Sequence, residues 1–179
     1  MSESGEKRTH KGETMSASHT EPDMASFQLS GIAHEPYADL FQLSDHELAK
    51  QHARRVIADA GIGFPCRISL SDASAGDELL LLPYEHLPTQ SPYRAAGPIF
   101  VRRGATRCVL PMDTVPPYVS RRLMSLRAYD GDDLMQSGDV VAGDDVAATL
   151  ARIFEDHRIA YVHLHNAGRG CFSCTARRA

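Results

Sequence analysis

Two stretches of the chain carry apolar residues at the spacing of an amphipathic helix. The first covers about 45–60, where Ser44 and Glu47 have the spacing of a capping box and Gly61 follows the last position. The second covers about 146–155, and its core-facing positions are Val146, Leu150, Ile153 and Phe154. The pattern therefore predicts two main helices.

Most of the remaining apolar residues alternate with polar ones, as they do in half-buried strands. The predicted strands are 67–70, 78–84, 98–102, 120–129, 134–141, 159–165 and 171–177, and the Asp-Gly-Asp-Asp run at 130–133 predicts a hairpin turn. Helices alternate too rarely with strands for a doubly wound parallel sheet. We therefore predict an α+β fold: a mostly antiparallel β-sheet with two main helices and a C-terminal β-hairpin.

The first 23 residues differ in composition from the rest of the chain. They are rich in Ser, Glu, Lys and Thr and poor in large apolar side chains, so they cannot bury enough surface to offset the entropy of ordering. Over the whole chain the apolar fraction is 42% and the charged fraction 23%, as in ordinary globular proteins. We expect a disordered tail at 1–23 and a single α+β domain at 24–179.

Charge and hydropathy exclude some classes of partner and favour one compartment. The chain has 19 basic and 23 acidic residues, whereas a nucleic-acid-binding surface needs a basic excess. No apolar run reaches the ~20 residues that cross a bilayer, and the N-terminus lacks a secretory signal. We expect a cytoplasmic protein with no nucleic-acid or membrane partner and with its four cysteines reduced. No sequence feature indicates a cofactor or an oligomeric state.

The C-terminal hairpin holds the clearest cluster of chemically active side chains. Alternation places His163 and His165 on one face of their strand and apolar residues on the other. A five-residue loop at 166–170 would pair His165 with Cys171 and His163 with Ser173, and it keeps both apolar faces on one side. We therefore predict that His163, His165 and Cys171 share the polar face.

A hairpin register shifted by one residue would place Phe172 among the histidines, and the apolar pattern disfavours it. In the predicted register Cys174 points into the core. This geometry disfavours a four-ligand zinc site built from the His-x-His and Cys-x-x-Cys runs, because residues three apart on a strand face opposite ways, but it leaves that site open. A site of His163, His165 and Cys171 with a water ligand remains open.

Two other interpretations of the hairpin remain. An imidazole beside Cys171 would favour its thiolate, which would make these three residues a catalytic group. Alternatively, the two histidines and the cysteine simply pack against a loop or solvent.

Three arginines lie at or near predicted strands and could clamp a phosphate or carboxylate. Arg67 opens a strand, Arg94 precedes one, and Arg127 lies on the polar face of 120–129. Ion pairing with the many acidic residues is the simpler explanation for any single one. Convergence of two or three of them with His163 would favour an anion site.

Several blocks of the sequence together resemble a known family. They are 63–70 (GFPCRISL), 91–94 (SPYR), 99–102 (IFVR), 126–130 (LRAYD), 161–167 (YVHLHNA) and 170–172 (GCF). Residues 26–179 resemble the bacterial family catalogued as domain of unknown function 1203. The resemblance implies a small cytoplasmic bacterial protein with no assigned activity. The positions it points to are Cys66, Arg67, Tyr93, Arg94, Arg127, His163, His165 and Cys171; Cys174 departs from the family pattern.

The sequence therefore predicts a small anionic ligand bound at a His/Cys/Arg site. His163, His165 and Cys171 are the predicted catalytic residues, and the predicted ligand-binding residues are Arg67, Tyr93, Arg94 and Arg127. Whether the protein is an enzyme stays open. The alternative is a non-catalytic interaction module or a structural zinc module.

Overall fold

The computed structural model describes residues 25–179, so the predicted tail at 1–23 lies outside the described residues. The strands are β1 (Phe27–Ser30), β2 (Arg54–Ile57), β3 (Pro65–Cys66), β4 (Ser71–Asp72), β5 (Glu78–Leu87), β6 (Ala95–Arg102), β7 (Leu123–Tyr129), β8 (Met135–Ala142), β9 (Tyr161–Asn166) and β10 (Phe172–Arg178). The helices are α1 (Glu35–Ala38), α2 (Asp45–Lys50), α3 (Pro117–Ser120) and α4 (Val146–Phe154).

The strands form two five-stranded sheets. Sheet A has the order β1-β10-β9-β7-β8, and sheet B has the order β2-β5-β6-β3-β4. Between the strands of 25–179, every pairing is antiparallel except that of β3 with β6. The predicted α+β fold with a mostly antiparallel arrangement and a C-terminal β9–β10 hairpin is confirmed. No helix in the described part of the chain is long and apolar enough to cross a membrane.

The predicted second helix is confirmed as α4. Its apolar stripe is buried, and it packs on the face of sheet A that carries Leu126, Val162 and Leu164. Apolar residues recurring with the helical period of 3.6 therefore identified a face that does contact the core. The hairpin turn predicted at 130–133 also forms, because β7 and β8 pair on either side of it.

The predicted first helix is wrong beyond residue 50. Its capping box is present, with Ser44 accepting from the Glu47 amide and Glu47 accepting from the Ser44 amide. The helix nevertheless ends at Lys50, and His52 adopts a left-handed backbone with φ 56°. Residues 54–57 instead form β2 on the edge of sheet B, opposite β5. Val56 and Ile57 are β-branched and therefore favour a strand over a helix. Pairing with β5 stabilises the strand although the apolar spacing fits a helix.

The strand predicted at 67–70 is also wrong. These residues form a tight turn between β3 and β4, closed by the bond from the Leu70 amide to the Cys66 carbonyl and ending with Leu70 at φ 52°. The turn packs against Gly31, where an added Cβ would lie 2.1 Å from the Ile68 carbonyl oxygen. Backbone contact with a distant glycine therefore fixes a segment whose apolar alternation suggested a strand.

The predicted register of the C-terminal hairpin is wrong by a bulge. His165 pairs with Phe172 rather than with Cys171, and His163 pairs with Thr175 rather than with Ser173. The register shifts between Phe172 and Cys174, which leaves Ser173 as the extra residue. Ser173 is held there by a 2.6 Å hydrogen bond between its Oγ and the Tyr118 hydroxyl. The bulge puts Phe172 on the side of the histidines, while Cys174 points into the core as predicted.

The second face of sheet A packs against sheet B. Phe172 from β10 joins a core with Leu80 and Leu82 of β5 and Ile99 of β6. This packing buries the predicted polar face: His163 is 5% exposed and His165 is fully buried. The face predicted to be polar is therefore not exposed at His163 and His165, because it forms the interface between the two sheets.

Candidate functional site

A cleft of about 680 Å³ lies between sheet B and the end of the C-terminal hairpin. Its walls are mainly apolar, formed by Ile62 and Pro65, by Leu81, Pro98 and Phe100 of sheet B, and by Leu123. Its polar lining is Arg67, Arg122, Asn166, Arg169 and Cys171. The volume falls within the range usual for small-molecule sites.

Arg67 is the one predicted ligand-binding residue that lines this cleft. The tight turn after β3 sends its side chain inward, where it is 2% exposed. Its Nε donates to the Phe172 carbonyl at 2.7 Å, and its Nη1 donates to the Pro65 carbonyl. Burial lowers the pKa of the Arg67 guanidinium from its usual value.

No carboxylate pairs with Arg67 among residues 25–179. Its two hydrogen-bond partners are neutral carbonyl groups, and Nη2 makes no hydrogen bond to the described residues. Guanidinium stays protonated in proteins, so its charge is buried without a counter-charge. Such an arrangement is costly unless an anion completes it.

The loop of the C-terminal hairpin forms one side of the cleft. Gly170, at φ 74°, donates its amide to the Asn166 carbonyl, and the Asn166 amide donates to the Cys171 carbonyl. These bonds bring Asn166 and Cys171 to the cleft together. The Asn166 Oδ1 atom is buried and has no donor among the described residues. It is a second polar group in the cleft with unused hydrogen-bonding capacity.

Cys171 lines the cleft, but it is separate from the histidines. Its Sγ lies 3.9 Å from the Arg169 carbonyl oxygen, and within 25–179 it makes no hydrogen bond to an imidazole. The predicted pairing of Cys171 with His165 therefore does not form. The thiol remains accessible from the cleft, whereas Cys66 and Cys174 are buried.

The other arginines at the cleft differ from Arg67 because one has a carboxylate partner and the other is exposed to solvent. Asp72 accepts from Arg121 at 2.6 Å and from Arg122 at 2.7 Å, so Arg122 has a carboxylate partner. Arg169 is exposed on the hairpin loop and has no ion pair within the described residues. Among the described residues that line the cleft, Arg67 is therefore the buried charge without a carboxylate.

His163 and His165 belong to a buried cluster with a third histidine, His86. The His86 ring lies 4.9 Å from the His165 ring and 5.9 Å from the His163 ring, centroid to centroid. His86 is the extra residue of a bulge in β5, between Glu85 and Leu87, and the bulge turns its ring toward sheet A. Neither His163 nor His165 lines the cleft.

Burial keeps the clustered histidines neutral. It lowers the pKa of His163 to about 3 and that of His165 to about 4. Burial, followed by the charge of Arg127, also lowers the pKa of His86. The His165 Nδ1 lies 3.0 Å from the Gly170 carbonyl oxygen and therefore donates to it. Four ring nitrogens are buried without a partner in the described structure: His86 Nδ1 and Nε2, His163 Nδ1 and His165 Nε2.

Phe172 connects the histidine cluster to the cleft. Its ring stacks on His86 at 5.3 Å and meets His163 edge-on at 5.1 Å. Its carbonyl oxygen accepts the Arg67 Nε hydrogen bond. The cluster therefore contacts the residue whose backbone carbonyl accepts from Arg67.

The remaining predicted ligand-binding residues lie elsewhere. Arg127 is directly opposite His163 across β7 and β9, and it has no ion pair within 25–179. Arg94 forms a 2.5 Å ion pair with Glu85 at the surface. Tyr93 is 41% exposed, with its ring 6.3 Å from that of Tyr129. The structure therefore brings Arg127 to the histidines but leaves Arg94 and Tyr93 outside the cleft.

The zinc ligands considered from the sequence are divided between two sides of the hairpin. Cys174 lies in the core under α4, and the histidines lie against sheet B. Over the described residues, no group of three or more His, Cys, Asp or Glu side chains is arranged to hold a metal ion.

The sequence pattern did not single out four of these residues: Arg122, Asn166, Arg169 and His86. Arg169, between Gly168 and Gly170, stands at the tip of a recognisable turn, so its exposure on the loop could have been expected. Asn166 follows the predicted strand directly and could have been placed at its end. His86 had no such signal, because a bulge in one strand leaves no trace in the apolar pattern.

Within residues 25–179, the chain has an α+β fold with one buried guanidinium that lines an apolar cavity without a carboxylate partner. The family described as "Protein of unknown function (DUF1203)" matches residues 63–178, and the chain belongs to that family. The matched segment includes every residue of the cleft except Ile62. Comparison with curated proteins and with solved structures finds no match.

Proposed function

We propose that this protein binds a small anionic ligand in the cleft, with Arg67 as the residue that holds the anion. The observation that carries the proposal is a guanidinium that is 2% exposed, faces neutral carbonyl partners and lines a cavity of about 680 Å³. An anion would compensate the buried charge and use the N–H groups that the carbonyls leave unoccupied.

The other predicted residues have different parts in this proposal. Cys171 is the thiol that the ligand would meet, so it is the residue through which any covalent chemistry would proceed. His163 and His165 act on the site through Phe172, as positioning residues. The positive charge of Arg127 helps to keep the clustered histidines neutral by lowering the pKa of each. Arg94 and Tyr93 take no part.

The proposal also includes the setting of the protein. A net charge of −4 favours a small-molecule partner over nucleic acid. The cysteines of the described chain are all free thiols, which suits a reducing compartment, and we propose the bacterial cytoplasm.

A thermal-shift screen tests the binding proposal. The probes are acetate, benzoate, succinate, inorganic phosphate and glucose 6-phosphate, each up to 10 mM at pH 7. We expect at least one anion to raise the Tm by about 3–6 °C at tenfold its Kd. Arg67→Met should lose the response, because it keeps the length of the side chain and removes the charge. Arg94→Met is the matched control and should keep it.

A second measurement separates loss of binding from loss of folding. Arg169→Ala changes an exposed residue, so it should fold normally and bind the same anion less tightly. Benzylamine has the shape of benzoate with the opposite charge and should have no effect. Failure of every anion to stabilise the native chain, or an unchanged response in a folded Arg67→Met, would overturn the proposal.

A further inference from the structure

We infer that the ligand of this cleft is an amphipathic monocarboxylate: one carboxylate on a sizeable apolar body. The inference rests on the proposed function and specifies the chemical class of its ligand. It follows from the predominance of apolar residues in the walls of the cleft and from which of its arginines are buried or paired with a carboxylate.

The single buried charge without a carboxylate among the described residues of the cleft favours a monoanion. Arg67 is the buried charge that lacks a carboxylate within residues 25–179, and Arg122 already shares Asp72 with Arg121. A carboxylate brings the single negative charge that matches Arg67. A phosphate monoester brings about −1.5 to −2 at neutral pH, and the excess would meet mainly Arg169, which is exposed and therefore screened by solvent.

The walls favour an apolar body attached to that carboxylate. Leu81 and Phe100 of sheet B and the rings of Pro65 and Pro98 surround the space beyond the guanidinium. None of these groups donates a side-chain hydrogen bond, so a polyhydroxylated ligand such as a sugar acid would lose its water there without replacement. An alkyl or aryl body has no hydrogen bonds to water that the cleft must replace, and burial of its apolar area favours binding.

The mouth of the cleft shows where the apolar body leads. Ile62 is 62% exposed and Leu123 is 56% exposed, and both line the cavity. Large apolar side chains that are exposed and also line a cavity mark a surface that a ligand covers. On this inference the carboxylate lies inside at the buried Arg67, and the apolar body extends toward the exposed Ile62 and Leu123.

Isothermal titration of the full chain at pH 7 with butyrate, hexanoate, octanoate and inorganic phosphate tests the inference. Each added methylene should tighten binding about fourfold, the value expected for a buried methylene group. Octanoate should bind more tightly than phosphate. Octylammonium has the same tail with the opposite charge and should not bind.

A pair of surface variants tests the path of the tail. Leu123→Ser should weaken octanoate binding about tenfold and leave butyrate unchanged, because only the longer tail reaches the mouth. Val140→Ser is the matched control: Val140 is 63% exposed on β8, away from the cleft, and the variant should bind as the native chain does.

The outcomes separate this inference from the proposed function. Tighter binding of phosphate than of octanoate, or affinity independent of chain length, would overturn the inference and leave an Arg67-dependent anion site standing. Equal binding of octylammonium and octanoate would overturn both, because the charge of Arg67 would then have no role. Binding of none of the four anions would also overturn both.

Discussion

Lowering the pH should destabilise this protein well before its carboxylates titrate. His163 and His165 are buried between the two sheets, where burial lowers the pKa of His163 to about 3 and that of His165 to about 4. In the unfolded chain both titrate near 6.5. Between these values the unfolded state binds protons that the folded state excludes, so the free energy of unfolding falls as the pH falls. The stabilisation is complete above about pH 7 and is lost progressively on acidification.

The size of the effect follows from linkage. Each histidine contributes a slope that approaches about 1.4 kcal/mol per pH unit once the pH is well below 6.5. From pH 7 to pH 5 this amounts to about 2 kcal/mol for each residue, or about 4 kcal/mol for the two. A typical domain has about 5–15 kcal/mol of stability, so the loss is easily measured.

The assay is urea unfolding followed by far-ultraviolet circular dichroism at pH 7, 6 and 5. His163→Phe keeps an aromatic ring in the sheet interface and removes one titrating group, so it should lose about 2 kcal/mol over this range instead of about 4. His46→Gln is the control, because His46 is exposed on α2, and its pH dependence should match that of the native chain. Equal stability at pH 7 and pH 5, or equal slopes for the native chain and His163→Phe, would refute the argument that these imidazoles are buried neutral.

Three further predictions concern the elements around the cleft. Gly31→Ala should lower the free energy of unfolding by about 3 kcal/mol, because the added Cβ would overlap the Ile68 carbonyl and displace the turn that carries Arg67. Gly61→Ala is the control: the space around Gly61 is open, so this variant should have little effect in the same urea titration. Asp72→Asn should cost about 1–3 kcal/mol by leaving Arg121 and Arg122 without their shared carboxylate, whereas Asp156→Asn, at an exposed pair, should change the unfolding midpoint little. Brief treatment with iodoacetamide, read by peptide mass spectrometry, should label Cys171 and Cys108 before Cys66 and Cys174; burial raises the pKa of the Cys174 thiol to about 11, and early labelling of Cys174 would contradict its place in the core.

Local signals in the sequence determined the elements whose stability is local. The apolar stripe of α4 predicted a helix because one face of it had to be buried. The capping box of Ser44 and Glu47 marked the start of α2 correctly, since it involves residues three apart. The alternation in β9 predicted that His163 and His165 share a face, because side chains on a strand alternate by geometry.

Tertiary structure decided the elements that depend on distant partners. Residues 54–57 became a strand because β5 offers them an edge, with Arg55 paired to Glu78 across it. The 67–70 segment became a turn because Gly31 lets two backbones meet. Neither partner can be identified from the local pattern, because the contact depends on residues far apart in the chain.

The candidate site shows the same division. Residue type and resemblance identified Arg67, Cys171 and the two histidines, but which of them come together was decided by two bulges and by the packing of the sheets. The bulge at Ser173 moved Phe172 to the side of the histidines, and the bulge at His86 added a third imidazole. The packing of sheet A on sheet B then buried the face of β9 that carries His163 and His165, although its residues are polar. It left the charge of Arg67 in a separate apolar cleft, without a carboxylate among the described residues. A one-residue bulge barely changes the alternation of apolar and polar residues, but it reverses which face of the strand each later residue occupies. The position of a bulge is therefore determined only by the assembled structure.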